Sequence, residues 1–225
     1  KKICPASMAD ECEKWRAVAL ISAAAAAGSA NAIDAKTALR KAGGAKHGAH
    51  NGQARALWAI AALEKSEQLS FKERLDAIVA VSSGWAELDP LFKYTFLPRI
   101  SVTIPNAFHL NRSSIQAQGR SLKEKVRLIH ELESAATAAM NLPWVRIQAE
   151  TLNNMASTYR DLLENYGEEY GKALDPIRQK AQQLRTKAFE IASRASVEDA
   201  TFDNIATVYF AENPGLAASI KPARL

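Results

Sequence analysis

Between residues 144 and 195 the apolar side chains recur with a heptad period. Val145, Leu152, Tyr159 and Tyr166 form one series, and Ala149, Ala156, Leu163 and Tyr170 the interleaved one. Past a short break, Ile177, Leu184 and Ile191 form a third series, and Leu174, Ala181, Ala188 and Ala195 a fourth. Alternating spacings of three and four are the pattern of helices packed side by side at a shallow angle. Gly171 supplies a left-handed stop for the first helix. Asp175 before Pro176 reads as an N-cap with proline at the first helical position. The stretch predicts an antiparallel helical hairpin, with Leu152, Leu163 and Leu184 inside its interface and Gln183 outside.

Composition agrees. The chain carries about 40 alanines among its 225 residues, roughly twice the usual share. Alanine is the best helix former and lets backbones approach closely. Capping-box spacing at Ser70/Glu73 and Ser121/Glu124 marks two more helix starts. The fold class is therefore all-α: an elongated helical bundle, with an up-down-up core over 121–141, 144–170 and 176–195. A first helix starts near Ala9 or Asp10 and runs to Ala42, with Gly28-Ser29 as either a kink or a point where another helix approaches. The segment Gly43 to Gly52 has four glycines in ten residues and reads as a loop before a helix over 53–68. A last helix starts at Ser196 and buries Phe202, Ile205, Val208 and Tyr209.

Residues 98–120 differ. Pro98 and Pro105 bracket Ile100, Val102 and Ile104, which alternate with Arg99, Ser101 and Thr103. Alternation with flanking prolines predicts an extended connecting segment. It divides an N-terminal alanine-rich half, 1–97, from a C-terminal bundle, 121–225. A length of 225 residues also suits one continuous domain.

The sequence lacks the patterns that carry common chemistries. His47 and His50 have no Cys, Asp or Glu within five residues, too few ligands for a metal shell. His130 is not part of an H-E-x-x-H motif, and there is no Walker loop, G-x-G-x-x-G or G-x-S-x-G. Glu131, Glu133, Glu168 and Glu169 read as solvated helix faces. The site assignment is accordingly empty: no catalytic residue, no cofactor and no metal.

The net charge is +5, and such a balance bears on association, not on fold. Arg99, Arg112, Arg120, Lys123, Lys125, Arg127 and Arg146 form a loose basic cluster. Arg178, Lys180, Arg185, Lys187 and Arg194 form the basic side of the helix over 176–195. Both read as solvated faces, which disfavours nucleic acid. No apolar run reaches the roughly 18 residues needed to span a bilayer. The most aromatic stretch holds Trp85, Leu88, Leu91, Phe92, Tyr94 and Phe96; it is either core or a partner-binding face, and it leaves membrane-surface association open. Asn111-Arg112-Ser113 matches an N-glycosylation sequon. Cys4 and Cys12, the two cysteines, are a candidate disulfide or a pair of thiols. The start at Lys1 without Met reads either as a removed presequence or as a trimmed terminus, and an exported, periplasmic or organellar location is slightly favoured over the cytoplasm. The functional expectation is a non-enzymatic structural or protein–protein interaction subunit of a larger assembly. The alternatives are an exported helical binding protein stapled by Cys4–Cys12, and a helical enzyme with dispersed catalytic residues.

Overall fold

The structure is a computed structural model that describes residues 11, 12, 14–19, 34–44, 51–194 and 199–215. Every regular element among them is helical. Beyond the helical residues 14–19, eight α-helices follow in order. They are α1 (Ala35–Gly44), α2 (Asn51–Leu63), α3 (Phe71–Gly84), α4 (Pro90–Gln116), α5 (Leu122–Ala139), α6 (Val145–Tyr170), α7 (Asp175–Arg194) and α8 (Asp199–Glu212). Short 3₁₀ turns at Ser66–Gln68, Trp85–Glu87 and Gly171–Leu174 join some of them.

The polar starts work as their spacing predicts. The Glu73 N–H donates to Ser70 Oγ at 3.4 Å while the Ser70 N–H donates to Glu73 Oε2 at 2.7 Å, a complete capping box on α3. Ser121 Oγ accepts from the Glu124 N–H at 3.3 Å and opens α5. Gly171 ends α6 at φ +49°, its N–H donating to Gly167 O. Asp175 departs from its expected role: its backbone is already helical (φ −57°, ψ −39°), because the 3₁₀ turn at Gly171–Leu174 runs straight into α7. Gly84 ends α3 against the start of α2, where a Cβ on Gly84 would come within 2.6 Å of the Gly52 carbonyl oxygen. The absence of a side chain there is what lets these helices cross. Gly43, Gly44 and Gly52 lie within α1 and α2, so the helices intrude on both ends of the expected loop; its middle lies outside the described residues.

The extended segment expected over 98–120 is corrected. Through Gln116 it belongs to α4, a 27-residue helix with Pro98 and Pro105 inside it. Phe92, Phe96, Ile100, Ile104 and Phe108 recur every four residues and are all buried. That helical stripe outweighs a two-residue alternation resting on three apolar positions. Each interior proline costs about 3 kcal/mol by removing a ladder hydrogen bond. The cost falls on the carbonyls of Tyr94 and Ser101, and Pro98 sits on the exposed outer side. Asp89 Oδ1 accepts from the Leu91 N–H at 2.9 Å, with Pro90 as the first helical residue.

One large core joins residues of α1 through α6. A second cluster gathers Ala149 and Leu152 of α6, Ala188 and Ala192 of α7, and Ile205 of α8. Phe189 closes it by stacking on Tyr209 at 4.3 Å and 4°. Helix α6 packs against α4, α5, α7 and α8. It therefore buries Ile147, Met155 and Leu162 besides the heptad residues Leu152, Ala156 and Tyr159. Along α6 and α7, Ala149 clusters with Ala192 while Arg185 meets Ser157, the order expected of an antiparallel pair.

Candidate functional site

The aromatic stretch splits in two. Trp85, Leu88, Phe92 and Phe96 are buried in the large core. Leu91 and Tyr94 point outward, at 64% and 83% exposure, and Val102 joins them at 55%. With the exposed Pro98 these residues are spaced three, four and four apart, so they form one stripe along the outer face of α4. The inner face of the same helix is fully occupied by core contacts. Trp15 is also exposed, at 54%, its ring edge-on to Phe92 at 5.5 Å.

The basic cluster is dispersed by pairing. Arg99 donates to Glu64 at 3.0 Å, and Arg120 to Glu124 at 2.6 Å. Arg127 pairs with Glu131. Lys125 is buried with its Nζ 5.2 Å from the Tyr166 ring centroid. Arg112 forms a bidentate pair with Asp161, at 2.5 and 2.8 Å, which ties α4 to α6. Arg99, Arg112, Arg120 and Arg127 are thus each engaged by a carboxylate.

Arg178, Lys180 and Lys187 are exposed on α7, but Arg185 departs from the reading of a basic solvated face, since it is 1% exposed. Its Nη1 donates to the Asn153 side-chain and main-chain oxygens, and its Nη2 to Ser157 Oγ at 3.0 Å. Its Nε lies 3.3 Å from Glu212 Oε2, at the end of α8. Burial lowers the Arg185 pKa, the Glu212 charge pulls it back up, and the nearby Arg160 and Arg112 lower it further. Glu212 also accepts from Arg160 at 2.7 Å. One carboxylate thus bridges two guanidinium groups and pins α8 to the hairpin.

A second polar group centres on Glu133. Tyr159 donates its hydroxyl to Glu133 Oε1 at 2.6 Å, His130 Nδ1 lies 3.0 Å from Oε2, and Lys180 Nζ lies 3.7 Å away. Burial alone would push the Glu133 carboxyl up, but Tyr159, His130 and Lys180 outweigh it and hold it below its ordinary value. Burial, reinforced by Glu133, raises the Tyr159 hydroxyl, so it stays a proton donor. An oriented carboxylate beside an imidazole is the geometry of a general base. Here, however, the His130 and Lys180 side chains are 69% and 48% exposed. The group is open to solvent on its His130 and Lys180 side, and such dipoles stabilise developing charge well only where water is excluded.

No group of three or more metal-ligating side chains occurs among the described residues. His47, His50 and Cys4 lie outside them, so the two-histidine loop and the Cys4–Cys12 pairing are not placed. The sequon is unusable in the folded chain: Asn111 is 0% exposed within α4 and accepts from Arg74 Nε at 2.6 Å. No described helix is long and apolar enough to cross a membrane. Compared with family models, curated proteins and solved structures, the chain matches none.

Nothing in the heptad pattern signals Arg185, Glu212 or the Tyr159–Glu133 pair. Arg185 stands four residues after Ala181 and three before Ala188, in line with the small residues that face α6. That position was the one available clue.

Proposed function

We propose that the chain is a helical interaction subunit that docks a partner protein on the outer face of α4. One observation carries the reading: Leu91, Tyr94 and Val102 stay more than half exposed in a single stripe on a helix whose other face is core. Single exposed apolar side chains are ordinary, but an aligned set is the mark of a docking site. Tyr94 combines apolar area with a hydroxyl at little entropic cost, which suits an interface centre. A standard interface engages roughly 20 residues on each side, so the stripe supplies the apolar centre and the polar flanks of α4 its rim.

The test compares full-length protein with the double variant Tyr94→Glu, Val102→Glu and with the control Gln183→Glu, each as bait in extract from the native source. Both sites are solvent-exposed, so all three proteins should show the same thermal melt. The expected result is a partner retained by wild type and by the control and lost with the double variant. Equal retention by all three would refute docking through α4.

A further inference from the structure

We propose that the pocket between α6, α7 and the end of α8 binds a small organic anion, a carboxylate or phosphate on a short apolar body. This site goes beyond the docking face, which lies on α4. The pocket has a volume of about 240 Å³ and is walled by Arg160, Arg178 and Gln182, with Ala156, Leu163 and Ala181 beneath them. That is smaller than the roughly 300–1,000 Å³ of pockets for drug-sized ligands, so the ligand has few heavy atoms. The apolar floor favours a hydrocarbon stub over a bare ion.

Arg160 is already held by two carboxylates, Glu212 at 2.7 Å and Glu164 at 2.8 Å, so among the described residues of the wall the Arg178 guanidinium is the group that selects an anion. Arg185 lies directly behind the wall, 3.3 Å from Glu212 Oε2. Glu212 itself shows the chemistry the site accepts, since its carboxylate already sits between Arg160 and Arg185. Arg178 is the donor left for a ligand: its Nε lies 3.7 Å from Asp175 Oδ1, outside hydrogen-bond reach. A planar guanidinium presents paired N–H donors that match carboxylate or phosphate oxygens two at a time. The Gln182 amide adds a neutral donor on the same wall.

Full-length, isotope-labelled protein would be titrated with butanoate and, separately, with inorganic phosphate. Sodium chloride at equal ionic strength is the control, and the side-chain amide signal of Gln182 is followed. Saturable shifts are expected with at least one probe, at a Kd of about 1 mM or tighter. Butanoate as the better ligand would point to organic acids, and phosphate to phosphorylated compounds. The Arg178 side chain is 57% exposed, so Arg178→Gln should leave the fold intact and weaken binding about tenfold. Gln182→Ala, a second exposed wall residue, should weaken it as well. Linear shifts that match sodium chloride, or unchanged affinity in Arg178→Gln, would overturn the proposal.

Discussion

Arg185 carries a full charge into the interior, and Glu212 is the carboxylate that reaches it. Removing one member of a buried pair is costlier than the pair is worth, because the other charge stays behind. Glu212→Ala should therefore destabilise the protein by about 3 kcal/mol, read from urea midpoints at pH 7. A loss comparable to an exposed substitution would mean that Asn153 and Ser157 alone satisfy Arg185. Tyr159 makes a second test, one that depends on pH. The Glu133 carboxyl has a lowered folded pKa, so its ionised form stabilises the fold fully above the unfolded pKa. That contribution fades as the pH falls through the folded value. Tyr159→Phe removes a hydrogen bond to a charged group and should cost about 1.5 kcal/mol near neutrality. The gap between wild type and Tyr159→Phe should narrow in acid, as Glu133 protonates. A gap that is constant from pH 7 down through the acid range would disconnect Tyr159 from Glu133.

At the level of helices, period and capping were the legible signals. The capping box at Ser70, the N-cap at Ser121 and the stop at Gly171 depend on local backbone chemistry and stand where their residues place them. The seam of α7 was legible only to within a residue. The bulky series Ile177, Leu184 and Ile191 is half-buried, while the smaller Ala188 and Ala192 and the charged Arg185 lie deepest. Apolar size marks a stripe, but the centre of a close helix contact goes to small side chains, and periodicity alone does not rank them. Leu163 is likewise half-buried and Leu152 fully so. Leu184 still packs against both clusters while Gln183 is exposed. Leu184→Ala should therefore cost about 2 kcal/mol, the lower end for leucine truncation, and Gln183→Ala less than about 0.5 kcal/mol. Equal denaturant midpoints for the two variants would contradict the seam. Residues 98–116 were misread for a different reason. Prolines punctuate most helices, and only the long four-residue rhythm from Phe92 to Phe108 reveals that α4 runs through them. The polar clusters were illegible because each draws on helices far apart in sequence, such as Arg112 with Asp161 and Arg185 with Glu212.

Across the whole molecule, α6 links both hydrophobic clusters, and α4 lies against it through the Arg112–Asp161 pair and the large core. Helix α4 is thus held firmly from its inner side. The outer face of α4 is different: it presents Leu91, Tyr94, Pro98 and Val102 on a rigid support, and a rigid support lowers the ordering cost of binding. The proposed partner seats there. The most direct test places a photoreactive benzophenone side chain at position 94, or at position 183 on α7 as a control, in protein expressed in its native source and irradiated there. The account predicts a discrete adduct with another protein from position 94 and none from position 183. No adduct from position 94, or the same adducts from both positions, would contradict it.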